Sequence, residues 1–311
     1  MGLPYLMHRT VANEIRLSHT IGRGKFGEVW KGSLHGDDVA IKIFYSLNEK
    51  SWNRECQIYN TVLPRHETIL AYLASDITSR HSLTQFWLIT QYHSNGSVFD
   101  YLQERKISTT DLLRIIQSAA AGLAYLHTEI FGKERKPALA HRDFKSNNVL
   151  IKDDLRCCIA DFGVSVLYYS DTKMINLGNL PKLIAGTKRY LSPEILDGTL
   201  ESSNFDCYKK SDVYAFGLFL WEIYHRWELV KNSSKTYNLA YYENISHDTS
   251  IGKIRQIVCQ NRCRPVFSDC EETEMLLGKK LQKISIECWA HEYDARLSSL
   301  RIKKTLNKLM H

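Results

Sequence analysis

Five short stretches, in one order along the chain, limit its fold more than anything else in the sequence. They are GRGKFGEV (Gly22–Val29), VAIK (Val39–Lys42), HRDFKSNN (His141–Asn148), DFG (Asp161–Gly163) and SPE (Ser192–Glu194). Glycines at 22, 24 and 27 let backbone amides approach phosphate oxygens closely. A dinucleotide-binding turn requires a helix directly after such a loop. Here EVWKGSLHGDDVAIKIF follows, and its alternation and Gly-Asp turn predict a hairpin. The loop therefore reads as a flap over nucleotide phosphates.

Lys42 lies in an apolar strand pattern, where a lysine is ordinarily an outward-facing surface residue. After a glycine-rich loop, V-A-I-K instead matches a strand lysine that holds a nucleotide's α- and β-phosphates. Such a lysine needs a carboxylate to fix it. Glu55 is the candidate, with Glu49 as the alternative nearer the helix start, where acids serve the helix dipole. In HRDFKSNN, Asp143 can accept the proton of an incoming hydroxyl, and Asn148 can offer an amide oxygen to a metal. Asp161, after the apolar CCIA, can bind a Mg²⁺ bridging phosphates. Each motif alone occurs by chance; the ordered set does not.

The rest of the chain fits an ordinary globular protein. Hydrophobic residues make up 44% and charged residues 24% of its 311 positions. The formal charge of +7 is dispersed rather than clustered, which argues against nucleic acid as a partner. Eight cysteines include no CxxC pair, so reduced thiols are expected and zinc is not. In such a setting the sequons at Asn95, Asn232 and Asn244 carry no meaning. No apolar run reaches the ~20 residues needed to span a membrane. The longest candidate, VYAFGLFLWEI (Val213–Ile223), contains Glu222 and reads as a buried helix.

The first ninety or so residues read as strand-rich, with DDVAIKIF and QFWLIT as strands and a helix over Glu49–Leu63 between them. From Ser108 the apolar stripe Leu112, Ile116, Ala119, Leu123 and Leu126 predicts a long helix. Further helices are expected over Asp212–Tyr224, Gly252–Asn261, Glu274–Ala290 and Leu297–Met310. A small β-rich half thus joins a larger helical half near residues 91–96.

Through these motifs the chain resembles a eukaryotic protein kinase over about residues 15–308. The resemblance implies an α+β, bilobal protein-kinase fold. Its small β-rich N-lobe (15–92) has one main helix, and its C-lobe (96–308) is larger and mostly α-helical. It implies ATP and Mg²⁺ as cofactors, with Mn²⁺ as a substitute. Asp143, Lys145, Asn148, Lys42 and Glu55 become the catalytic set, and Asn148 and Asp161 the metal ligands. Ile21, Gly22, Gly24, Gly27, Val29, Ala40, Lys42, Thr90, His93 and Asp161 become the nucleotide contacts, with Thr90 as gatekeeper and Gln91–His93 as hinge. Lys145, two residues after Asp143, matches the serine/threonine-kinase pattern, and Thr187 in GTKRYLSPE fits the same specificity. Glu194 is expected to pair with Arg296, and Asp212 to open its helix as a cap while holding the catalytic loop.

Longer stretches are similar to the kinase domain of type I receptors of the TGF-β superfamily: SWNRECQIYNTVLPRHETIL, GKERKPALAHRDFKSNNVL, GTKRYLSPEIL and ARLSSLRIKKTL. SDITSRHSLTQFW (Ser75–Trp87) resembles the activin-receptor-like, BMP-responsive branch in the loop that selects the Smad substrate. The resemblance implies a receptor kinase that phosphorylates serines in the tail of receptor-regulated Smads, after activation by a type II receptor kinase. Residues 1–14 match the junction after the Gly/Ser-rich regulatory box, and Leu3-Pro4 match the grip of an FK506-binding immunophilin. The box, the membrane span and the ectodomain are absent from this sequence. The implied location is the cytoplasmic side of the plasma membrane, joined to the membrane only through that absent segment. Phe162 stands where the family often has Leu, and Ser192 where Ala is usual. Lys182 is present, but the arginine before Gly186-Thr187 is missing. The stretch Trp227–Ser250 departs most from the family and receives no role. Two other readings compete: a nucleotide-binding scaffold that transfers nothing, and a tyrosine-kinase-like-group Ser/Thr kinase with unrelated substrates.

Overall fold

Alternation in DDVAIKIF places Val39, Ile41 and Ile43 on one face of a strand, and all three are buried. The computed structural model containing this strand describes residues 11–24, 27–61, 63, 66–80, 83–132, 135–178, 184–231, 236–246 and 248–309. Leu3, Pro4 and Lys182 lie outside them. The chain divides into two compact units, residues 1–66 with 70–93, and residues 67–69 with 94–311.

In the first unit, β1 (Ile15–Gly24), β2 (Gly27–Leu34), β3 (Asp37–Phe44), β4 (Tyr72–Arg80) and β5 (Leu83–Gln91) form one antiparallel sheet. The strand order is β1-β2-β3-β5-β4. Val39, Ile41 and Ile43 pack with Ala12, Ile15, Trp87 and Ile89. Each such side chain contributes about 1.5–3 kcal/mol by leaving water. The register pairs Val29 with Lys42, and Ala40 with Thr90, so these four share the opposite face of the sheet. The stretch Ser75–Trp87 is mostly paired strand, running from Ser75↔Leu88 to Arg80↔Leu83; His81 and Ser82 lie outside the described residues. Between β3 and β4 lies α1 (Glu49–Thr61), which stops short of Leu63. Trp52 holds it to the sheet: its indole N–H donates to the Trp87 carbonyl at 2.9 Å.

The second unit opens with α2 (Val98–Glu104) and α3 (Thr109–His127). Ser108 caps α3 by accepting the Asp111 N–H at 3.2 Å, and the whole predicted stripe is buried. Short strands β6 (Ala138–Ala140), β7 (Val149–Ile151), β8 (Cys157–Ile159), β9 (Val166–Tyr169) and β10 (Met174–Asn176) follow, paired as β10-β9-β6 and β7-β8. Then come α4 (Pro193–Leu196), α5 (Phe205–Tyr224), α6 (Ile251–Arg255), α7 (Met275–Cys288) and α8 (Ser299–Asn307). A π-helical turn, Gln256–Gln260, continues α6.

The α5 helix corrects the expected start at Asp212. It begins seven residues earlier, capped by Asn204, whose side chain accepts the Asp206 N–H at 3.0 Å. Cys207, Tyr208 and Ser211 are buried, so the packed face extends back past the half-buried Lys209 and Lys210. α7 and α8, by contrast, are shorter at both ends than the expected Glu274–Ala290 and Leu297–Met310. Among the described residues no helix is long and apolar enough to cross a membrane. None of the eight cysteines, all of them among the described residues, is in a disulfide.

Candidate active site

The predicted residues fall into two groups, one in each unit. In the first, the Lys42 ammonium donates to Glu55 Oε2 at 2.8 Å. Glu55, one turn and a half into α1, is almost fully buried, while the alternative Glu49 is exposed at the helix start. A carboxylate that keeps little water is a firm anchor for a half-buried ammonium. Lys42 also lies 4.9 Å over the Phe44 ring. Thr90 is buried, Val29 and Ala40 are half-buried, and Ile21 is exposed. His93 is the last residue of this unit. The glycines differ in their reasons. A side chain at Gly24 would meet nothing, whereas one at Gly27 (φ +153°) would strike the Ile43 carbonyl of β3. Gly27 is therefore also required by strand pairing.

In the second unit, the loop after β6 is held from behind. Asp212, in the middle of α5, accepts the backbone N–H of His141 at 2.6 Å and of Arg142 at 2.8 Å. His127, at the end of α3, lies with Nε2 3.0 Å from the same carboxylate and Nδ1 3.0 Å from the Ser299 hydroxyl. A carboxylate only accepts, so Nε2 carries the ring proton and Ser299 donates to Nδ1. Burial holds His127 below its ordinary pKa, against the pull of Asp212. Arg142 is held in the left-handed region (φ 66°), and a side chain at Gly186 (φ +100°) would collide with its carbonyl.

The predicted side chains converge in front of this anchor. Asp143 N–H donates to His141 Nδ1 at 3.2 Å, leaving His141 Nε2–H to donate to the Ala160 carbonyl at 2.9 Å. Ala160 N–H donates to the Asn148 carbonyl at 2.9 Å. Residues 141–148 are thereby tied to the backbone directly before Asp161, itself in the left-handed region at φ 66°. Asp143 Oδ2 accepts Lys145 Nζ at 2.8 Å, and Oδ1 accepts the Thr187 N–H at 2.7 Å. Lys145 donates again, to Thr187 Oγ1, at 2.6 Å. Asn148 Nδ2 donates to the Asp143 carbonyl at 2.9 Å, which leaves the amide oxygen for another partner. The set is one carboxylate with lone pairs to spare, one ammonium beside it, and an amide oxygen and a second carboxylate nearby in the chain. It can take a proton from a hydroxyl, neutralise a transferring anion and offer hard oxygen ligands to Mg²⁺.

Behind Thr187, Arg296 donates twice to Glu194, at 2.8 and 2.7 Å, with both side chains nearly free of solvent. Ser192 adds a donor to Glu194 Oε1 at 2.7 Å, so the hydroxyl that replaces the usual alanine serves the pair. His127 and the mid-helix position of Asp212 were not foreseen. A histidine closing a buried helical stripe was the available signal.

Residues 15–308 match the protein kinase domain family. Activin receptor type-1 of Homo sapiens is 49% identical over 309 residues, covering 99% of this chain and 60% of that receptor. Activin receptor type-1 of Gallus gallus is 48% identical over 309 residues, with the same coverage. Activin receptor type-1-like of Mus musculus is 47% identical over 310 residues, covering 100% of this chain and 61% of its own length. The chain thus spans about 60% of the length of these curated relatives. It belongs to the protein kinase domain family and resembles, within it, the type I receptors of the TGF-β superfamily.

Proposed function

We propose that this kinase domain transfers the γ-phosphoryl group of ATP to serine hydroxyls in the tail of receptor-regulated Smads, as the catalytic part of a TGF-β/BMP-type receptor. The observation that carries this reading is the Asp143–Lys145–Thr187 constellation, in which one carboxylate is oriented from both sides.

Protein kinase domains use ATP and Mg²⁺, and the residues present suit both. Gly24 leaves open space where a phosphate oxygen could approach the backbone. The Asn148 amide oxygen and the Asp161 carboxylate are hard donors of the kind Mg²⁺ takes. Bound there, the ion neutralises phosphate charge. Lys42, steadied by Glu55, holds the α- and β-phosphates. Asp143 accepts the proton of the substrate hydroxyl and aligns its oxygen. Lys145 lies beside Asp143 and counters charge on the phosphoryl group as it moves. The protein's share of the rate comes from this positioning and electrostatic neutralisation.

The identity and coverage of the activin receptor type-1 relatives support the receptor context. The wording of Ser75–Trp87 supports a Smad of the BMP branch as substrate. Activation by a type II receptor kinase, an immunophilin grip at Leu3-Pro4 and a place on the cytoplasmic side of the plasma membrane complete the reading. The test is incubation of the chain with Mg²⁺, labelled ATP and one Smad from each branch, followed by location of the phosphates. Phosphoserine on the tail of the BMP-branch Smad alone is the expected result. Transfer to a generic peptide but to neither Smad would overturn the substrate assignment.

A further inference from the structure

Residues 236–245 run back across the second unit as a strap, and three of them are deeply buried: Ala240, Tyr241 and Ile245. Its contacts fall on two places that matter for phosphoryl transfer. The first is the turn after Thr187: Arg189 donates to the carbonyls of Ala240 and Ile245, at 2.6 Å each. The second is the catalytic loop, reached through Glu222 of α5. That carboxylate is fully buried. It accepts Tyr190 Oη at 2.6 Å, Tyr237 Oη at 2.7 Å and, more distantly, the Ala240 N–H at 3.4 Å. Each phenol gives its single proton to Glu222. The Ser146 hydroxyl lies 3.2 Å from Tyr237 Oη and, with the Tyr190 proton on Glu222, donates its own to Tyr190 Oη at 3.3 Å. Ser146 follows Lys145 directly and is completely buried. Tyr237 also sets its ring edge-on to Phe99 of α2, at 5.4 Å.

We infer that Tyr237 is a positioning residue for phosphoryl transfer, through which the 236–245 strap holds the Lys145–Asn148 turn and the Thr187–Tyr190 turn in register. Three donors on one buried carboxylate make a closed network, and such a network specifies one geometry only when every member is satisfied. Tyr237 is the only member that comes from the strap's side chains. Its neighbours Thr236 and Asn238 line a cavity of about 140 Å³ instead, with Trp221, His225 and Tyr242. The inference rests on the reading of Asp143 and Lys145 as the transfer machinery. It adds a residue that touches neither substrate nor nucleotide.

The charged and titratable groups facing Glu222 are Tyr190, Tyr237 and Arg189. Burial raises the Glu222 pKa above its ordinary range, and the phenol donors pull it back. Removing one donor therefore moves its protonation to higher pH.

Tyr237→Phe keeps the ring against Phe99 and removes only the hydroxyl, and Tyr242→Phe, on the exposed side of the strap, is the control. In Tyr237→Phe, kcat for a serine peptide should fall about tenfold, the loss of one hydrogen bond to a charged group. The ATP KM should hold, and the acid limb of kcat should move to higher pH. Hydrogen exchange at 143–149 and 187–190 should speed up at least threefold, with 112–126 unchanged. Tyr242→Phe should match the parent in all of these. Unchanged exchange in Tyr237→Phe overturns the inference whether or not the chain transfers phosphate. Faster exchange with unchanged kcat and pH profile overturns the role in transfer. Faster exchange in a chain whose parent transfers nothing leaves the strap's hold on the loop standing and removes the kinase reading instead.

Discussion

Lys145 donates to the Thr187 hydroxyl at 2.6 Å while the Thr187 N–H donates to Asp143 at 2.7 Å, so one threonine fixes both members of the proposed transfer pair. Thr187→Val keeps the backbone donor and the shape but removes the acceptor for the ammonium. A hydrogen bond to a charged group contributes about 1.5–3 kcal/mol. The kcat/KM for a serine peptide should fall by about tenfold or more, with ATP affinity unchanged. Steady-state kinetics varying each substrate in turn check this.

Glu55→Gln keeps size and burial but withdraws the charge that faces Lys42 at 2.8 Å. The ammonium then loses its fixed partner in a site with little water. ATP binding, measured by calorimetry with Mg²⁺ present, should weaken about tenfold, and turnover should fall at least as much. Equal affinity in variant and parent would remove Glu55 from the set.

Glu194 and Arg296 form a bidentate pair with almost no solvent contact. Glu194→Ala leaves a buried guanidinium without its charge partner and should cost about 3–5 kcal/mol in urea unfolding. Glu194→Leu with Arg296→Met removes both charges and should recover most of that loss. Ser192→Ala, which removes one donor, should cost about 1 kcal/mol.

Much of this was legible before any coordinates. The V-A-I-K strand and the helix after it pointed to Glu55, with Glu49 left open, whereas Glu194 with Arg296 and the roles of Lys145 and Thr187 came from the kinase resemblance. Period-two alternation in DDVAIKIF and the Leu112–Leu126 stripe gave strand and helix their faces. The start of α5 was placed at Asp212, just before the continuous apolar run, while burial of Cys207, Tyr208 and Ser211, interspersed among polar residues, carries the helix seven residues further back. The Arg189 contacts were not legible at all. Their acceptors are backbone carbonyls, which every residue possesses and no side chain announces. Lys136 was hidden by its type: it is fully buried, with its ammonium on the carbonyls of Leu126, Thr128 and Pro137.

His127 supplies a pH dependence. Burial lowers its folded pKa beneath the ordinary 6.5, so the unfolded chain binds a proton there before the folded chain does. The contribution to stability is therefore complete above about pH 6.5 and is lost as pH falls through the folded value. His127→Gln keeps a donor for Asp212 and cannot titrate. The midpoint of urea unfolding should fall below about pH 6.5 more steeply in the parent than in this variant. Parallel curves would contradict the assignment.

Asp143 carries the central claim, because both of its oxygens are already oriented, Oδ2 by Lys145 and Asn148 and Oδ1 by Thr187, and Oδ1 keeps a lone pair for a substrate hydroxyl. The decisive measurement is turnover of Asp143→Asn on a serine substrate, with ATP affinity determined on the same sample. The account predicts a loss of about 10²–10⁴-fold in kcat with ATP affinity roughly intact. Parent-like turnover in Asp143→Asn would contradict it.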